Sequence, residues 1–343
     1  MDFTGIASIT YTAADMAEAR RLFTDWGLTK VSATRTRLVF ETTTGNRIEV
    51  RPDGTPGLPP RLEGGSSFRE VVFGVATAAR RDAIAADLAR DREVTRDADG
   101  TVRSTDDLGI AFGVRVWKPR RAATRPTTVW NRPEGRARVD REATAYAEGA
   151  RPSKIGHIVF AVTDTRRAEA FYRDRLGFWL SDRYVGGAGV FLRWAKRSEH
   201  HNLVFMTSRT GKTDLHHVAF EVGDVHEVFG GGMAFARQGW TTEIGPGRHP
   251  ISSAYFWYFR NPLGGAIEYF CDPDYVTERW KPRNFRVNRF SEWHLPAGLP
   301  LKGDGHARPS LATVKAIDAA AAAAATGGAG GTGAGPATPA ARA

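Results

Sequence analysis

The chain repeats itself, and that limits its fold more than any other feature. Residues 6–15 read IASITYTAAD and residues 155–164 read IGHIVFAVTD. Each is an apolar, strand-like run ending in an Asp suited to cap a following helix. The helices predicted next, MAEARRLFTDWGL and TRRAEAFYRDRLGF, share a pattern rather than letters. In the second, Ala168, Phe171, Tyr172 and Leu176 make one apolar stripe, and Gly177 supplies the stop. Further on, FREVVFGV (68–75) parallels LHHVAFEV (215–222), and DLGIAFGV (107–114) parallels PLGGAIEY (262–269). Partners stay about 150 residues apart, which marks an internal duplication.

A finer repeat lies inside the second half. HIVFAVTD (157–164) and HVAFEVGD (217–224) share His, Phe, Val and Asp at matching places. Each is followed by a helical segment and then several short strands. The unit reads strand–helix–strand–strand–strand. Four units predict an α+β protein of tandem βαβββ modules, two per domain, forming two open barrel-like sheets. The expected division is a first domain over 1–118 without metal ligands, a basic linker over 119–153 and a metal-binding catalytic domain over 154–301. An Ala/Gly-rich tail over 302–343 has no side chains to build a core and is expected to be disordered.

Composition narrows the class. The formal net charge is +10, but Arg115, Lys118, Arg120, Arg121, Arg125, Arg132, Arg136 and Arg138 crowd one proline-punctuated segment. That pattern reads as a solvated linker rather than a nucleic-acid face. An acidic partner or an anionic substrate drawn in by the field stays open. No run of apolar residues is long enough to span a membrane, and the start lacks a secretory pattern. A single cysteine, Cys271, fits a reducing compartment. The expectation is a soluble cytoplasmic protein that binds neither nucleic acid nor membrane and forms a homo-oligomer.

All nine histidines lie at or beyond position 157. Aligning the halves sets His157 against Ser8, His217 against Glu70 and Glu268 against Gly113. Taken singly, a strand histidine is more often a core or surface residue than a ligand. The repeat reverses that reading, because one half offers two imidazoles and a carboxylate where the other offers no such set. Two histidines and one carboxylate on a curled sheet are the ligand type of open non-haem Fe(II) sites.

At these residues the chain resembles the type I extradiol catechol dioxygenases of the vicinal oxygen chelate superfamily. The resemblance covers about residues 3–295 in architecture and is specific over 155–270. Its most specific stretch is GRHPISSAYFWYFRNPLGGAIE (247–268), where Gly-x-His, an apolar residue with Tyr, Asn-Pro-x-Gly and Glu follow in order. Trp257 stands where that family usually has a smaller apolar residue, and Ser252 where some members carry an acid. The resemblance implies a mononuclear Fe(II), with Mn(II) as the alternative, held by His157, His217 and Glu268. It implies a catechol-type aromatic substrate and O2, ring opening with both oxygen atoms inserted, and a place in aromatic hydrocarbon catabolism.

It also implies roles for three further residues. Tyr258 would meet a substrate oxygen, His249 would bear on removal of its proton, and His201 would act as acid–base beside dioxygen. His200 is the rival for that last role, and His216 the rival to His217, because neighbouring strand residues face opposite ways. The resemblance favours His201 and His217. No GxGxxG or phosphate-loop sequence occurs. Competing classes are a glyoxalase-type metal-dependent isomerase or lyase and a resistance-type ligand-binding protein. Trp194, Phe256 and Trp257 are candidates to line an aromatic pocket, and Arg248, Arg283, Arg286 and Arg289 to read an acidic side arm. His226 is expected to be exposed, and Cys271 to be a small buried hydrophobe.

Overall fold

Strand alternation builds the first half. Strand β1 (Phe3–Ala13) buries Ile9 and Tyr11 on one side and leaves Ser8 and Thr10 half-buried on the other. Asp15 then caps α1 (Met16–Asp25), accepting from the backbone N–H groups of Ala17 and Glu18 at 2.7 and 3.0 Å. The helix buries Ala19, Leu22 and Phe23 against the sheet. Strands β2 (Thr29–Ala33), β3 (Leu38–Glu41), β4 (Arg47–Pro52) and β5 (Phe68–Val75) follow. Helix α2 (Ala78–Leu88) and strands β6 (Thr95–Arg96), β7 (Val102–Thr105) and β8 (Ala111–Val116) complete the half. The eight strands form one sheet in the order β2-β3-β4-β1-β5-β8-β7-β6.

The second half repeats this. Strand β9 (Lys154–Val162) leads to α3 (Thr165–Ala170), capped by Asp164 through the N–H groups of Arg166 and Arg167. A π-helical turn, Phe171–Arg175, continues that helix. Then come β10 (Trp179–Tyr184), β11 (Gly189–Arg193), β12 (Leu203–Thr207) and β13 (Asp214–Glu221). Helix α4 (Val225–Arg237) precedes β14 (Thr242–Arg248), β15 (Tyr255–Arg260) and β16 (Ala266–Cys271). Two extra edge strands, β17 (Arg283–Phe285) and β18 (Trp293–His294), extend a ten-stranded sheet ordered β17-β10-β11-β12-β9-β13-β16-β15-β14-β18. Without its two edges this order is that of the first sheet. The architecture is α+β in two curled sheets of βαβββ modules.

The equivalence extends to register. Strand β1 is bulged between Ile6 and Ser8 and between Thr10 and Tyr11, and β9 between Ile155 and His157 and between Val159 and Phe160. Ser8, Val72 and Gly113 lie side by side across β1, β5 and β8. His157, Ala219 and Glu268 lie side by side across β9, β13 and β16.

This computed structural model describes residues 3–121, 129–141, 149–286 and 289–299, and Ala319. The rest of the 302–343 tail with His306, and linker residues 122–128 and 142–148, lie outside the described residues. The described part of the basic segment holds a small hairpin, Asn131–Arg132 with Gly135–Arg136, where the sequence suggested no strand. Residues 1–299 form one compact unit, and a single apolar core takes in residues of both halves. At its centre Trp26 stacks on Tyr269, with ring centroids 3.6 Å apart, and Tyr269 donates to the Trp26 carbonyl at 2.8 Å. Among the described residues no helix is long and apolar enough to cross a membrane.

Candidate metal centre

The concave face of the second sheet gathers the histidines. His157 on β9 and Glu268 on β16 flank Ala219 of β13, whose methyl group leaves space between them. His217 enters from two residues earlier on β13. The three donor atoms form a nearly equilateral triangle. Nε2 of His157 and Nε2 of His217 lie 3.3 Å apart, and Oε2 of Glu268 lies 3.2 and 3.3 Å from them. Metal–ligand bonds of about 2.1 Å meeting at about 90–110° put neighbouring donors about 3.0–3.4 Å apart. The triangle matches one face of such a coordination sphere and leaves the opposite face open.

Burial and charge fit the same occupant. All three side chains are buried, Glu268 completely. Neither oxygen of Glu268 makes a well-directed hydrogen bond among the described residues. A carboxylate in that position calls for a cation. Burial alone would raise its pKa, but the imidazoles of His157, His217 and His249 outweigh this and hold it well below the usual range. Burial pushes His217 down to about 3, so its ring is neutral, the form a metal requires. The Nδ1 atoms of His217 and His216 lie 2.8 Å apart, which orients the ligand ring from behind. His157, His217 and Glu268 are the one such group among the described residues.

The other predicted side chains converge on this triangle. The His201 ring lies 4.5 Å from that of His157 and 5.3 Å from Phe191. Burial lowers its pKa well below the ordinary histidine value. Nδ1 of His249 donates to the Phe290 carbonyl at 2.7 Å, which leaves Nε2 as an acceptor for the Tyr258 hydroxyl at 3.1 Å. Tyr258 lies directly across from Glu268 on β15, and burial raises its pKa well above 10. His200 points away, with Nε2 2.8 Å from Asp182. His216 also stands behind the triangle rather than in it.

Several candidates lie elsewhere. Phe256 stacks on His249, with centroids 4.0 Å apart, and does line the site. Trp257 is its neighbour on β15 and so faces the other side of the sheet, where it is fully buried and donates to Thr242. Trp194 belongs to the same core, packed near Gly5. Arg248 is held by Ser253 and Tyr255, Arg283 by Asp182, and Arg289 by Glu292, while Arg286 is exposed. His226 is half-buried against Trp130 rather than exposed. Cys271 is buried. Sequence reasoning missed Asp182 and Phe290, whose contacts join segments far apart in the chain. A cavity of about 990 Å³ lies in the first half, over Ser8 and Glu70.

This chain is similar in part to known proteins. The profile of the Glyoxalase/Bleomycin resistance protein/Dioxygenase superfamily matches residues 154–269, the stretch that holds all six of these side chains. "Metapyrocatechase 2" of Cupriavidus necator is 36% identical to this chain over 136 residues, 39% of this chain and 42% of that protein. The chain matches 40–57% of the length of the curated relatives most similar to it. Two solved structures cover far more. The Mn(II)-bound glyoxalase of Novosphingobium aromaticivorans superposes with a TM-score of 0.67 over 90% of this chain and 97% of its own, at 21% identity. The 2,3-dioxygenase LapB of Pseudomonas sp. KL28 gives 0.67 over 84% and 99%, at 18% identity. At those identities the likeness is one of fold. The stretch matched by the profile holds the triangle of His157, His217 and Glu268, and the first half repeats its fold without that triangle.

Proposed function

We propose that this chain is an extradiol dioxygenase that opens a catechol-type ring with O2 at a mononuclear Fe(II). The observation that supports it is the open triangle of His157, His217 and Glu268 with His201, His249 and Tyr258 around it. The relatives named metapyrocatechase and the fold neighbour named a 2,3-dioxygenase support the same reading. A divalent, redox-capable metal held by the two imidazoles and the carboxylate would supply the electronic route between catechol and dioxygen. Iron is preferred. Manganese is the alternative, in keeping with a relative named as manganese-dependent and a fold neighbour solved with Mn(II).

The chain's own residues divide the proton work. His249, fixed at Nδ1 by the Phe290 carbonyl, holds Nε2 against the Tyr258 hydroxyl, so the His249–Tyr258 pair can take up a phenolic proton. His201, neutral in its buried setting, stands at the other edge of His157, where it can take up a proton and return it to a group gaining negative charge. Phe191, Phe256 and Phe270 border the site with flat apolar surface. Arg248 and Arg283 are already engaged, which favours an apolar catechol over one with an acidic arm.

The protein would be loaded anaerobically with Fe(II) or Mn(II) and assayed in air against several catechols. Oxygen uptake with a yellow ring-opened product is expected. Turnover of a glyoxalase-type substrate without oxygen uptake would favour an isomerase instead. A preference of a hundredfold or more in kcat/KM for 3,4-dihydroxyphenylacetate over 3-methylcatechol would contradict the apolar site.

A further inference from the structure

Behind His201 runs a second line of buried polar groups that the roles above do not use. Asp182 and His200 are both fully buried. Asp182 Oδ2 lies 2.8 Å from His200 Nε2, and His200 Nδ1 lies 3.1 Å from His201 Nδ1. A bulge in β10 between Leu180 and Asp182 aims the carboxylate inward. Arg283 secures it, donating from its backbone N–H to Oδ1 at 2.7 Å and from its guanidinium to Oδ2 at 3.0 Å. Trp280 closes the edge: it packs on His200, carries the Arg283 guanidinium over its ring and donates to the Ser181 carbonyl.

These contacts leave one consistent set of protons. An ionised carboxylate only accepts, so His200 Nε2 must donate to Asp182. The half-exposed Arg283 guanidinium already matches the single charge of Asp182, so a further cation at the fully buried His200 would be uncompensated. A neutral His200 therefore has a bare Nδ1, and only a proton on His201 Nδ1 can fill that contact. This leaves Nε2 of His201 as a lone pair.

We propose that Asp182 and His200 are positioning residues that hold His201 in its Nδ1–H form, with Nε2 free to accept a proton or hydrogen bond beside the triangle. The consequence for turnover rests on the reading of His201 as an acid–base group. The tautomer itself does not.

Two measurements separate these. Long-range ¹H–¹⁵N imidazole spectra of the metal-free protein should show His201 protonated at Nδ1. In Asp182→Asn the amide oxygen stays on the Arg283 N–H, the half-exposed Arg283 guanidinium loses its acceptor and turns to solvent, and the amide NH2 faces His200. That should reverse both rings and move the His201 proton to Nε2. In the iron-loaded enzyme the same variant should lose about a hundredfold in kcat with KM little changed, because a carboxylate that fixes a catalytic imidazole can be worth up to about 10⁴. His200→Gln, which can donate to Asp182 and accept from His201, should keep kcat within about fivefold. His200→Leu should not. A wild-type His201 protonated at Nε2, or a His200→Leu enzyme with wild-type kcat, would overturn the proposal. If Asp182→Asn does not fold, the Gln and Leu pair decides. If the wild-type protein cleaves no catechol, the dioxygenase reading fails and the spectra still decide the tautomer.

Discussion

Gly156 shows how closely single residues set the metal centre. A β-carbon there would lie 2.3 Å from the Phe270 ring, which itself packs on His157 at 4.9 Å. Gly156→Ala should push that ring onto the ligand, cost about 1–3 kcal/mol of stability and weaken metal retention, as thermal melts and metal analysis would show. Replacing His157, His217 or Glu268 with Ala should abolish retention, because three ligands leave none to spare. His201→Asn and Tyr258→Phe should instead keep the metal and lose about 10²–10⁴-fold in turnover, read as kcat at fixed iron content. The three ligand candidates could be picked out in the sequence because a duplicated chain exposes which positions one half has specialised, whereas His201, His249 and Tyr258 came from the family pattern. His201 over His200, and His217 over His216, came only from the family pattern, and the side-chain geometry now separates each pair physically. Asp182 was not legible: nothing local tells that an Asp in LSDRY is turned inward by a bulge. Trp257 was misread although strand alternation, with Tyr258 facing inward, already sent it to the opposite side.

Elements were easier to read than contacts between them. The Asp15 and Asp164 caps and the apolar stripe of the second helix follow from local chemistry. The π-helical turn Phe171–Arg175 does not, since it depends on a partner from the other half. Within it the Tyr172 hydroxyl donates to Asp106 Oδ2 at 3.1 Å, while Asp106 Oδ1 accepts from the N–H groups of Leu108 and Ile110. Burial, only partly offset by these bonds, pushes the Asp106 pKa from 3.8 up to about 6. The folded state therefore binds the proton more tightly than the unfolded state does. Relative to a variant that cannot titrate at this position, wild-type stability should fall by roughly 3 kcal/mol as the pH rises from about 4 to above 6. Asp106→Asn keeps the backbone acceptor and removes the titration. The difference between its denaturation midpoint and that of the wild type should grow in the variant's favour across that window, and the variant's midpoint should be the higher at pH 7.5. The strands β17 and β18 were also beyond the sequence, being two or three residues long and recruited to edges of an existing sheet.

At the scale of the molecule, the halves were legible as a repeat but not as sharing one core. Trp26, from the first half, is ringed by Phe220, Phe235, Phe259 and Tyr269 of the second. Trp26→Ala should cost about 3–5 kcal/mol and lower the midpoint of both halves together in urea, followed by tryptophan fluorescence and circular dichroism. Two well-separated transitions would contradict the single core. The duplicated sheets then differ in what lies on their concave faces. One presents Ser8, Glu70 and Gly113, the other His157, His217 and Glu268. The most direct test is the amount of iron held per chain after anaerobic loading and desalting. The account predicts one iron per chain in the wild-type protein, one in Glu70→Ala and none in Glu268→Ala. A second iron in the wild-type protein, or iron retained in folded Glu268→Ala, would contradict it.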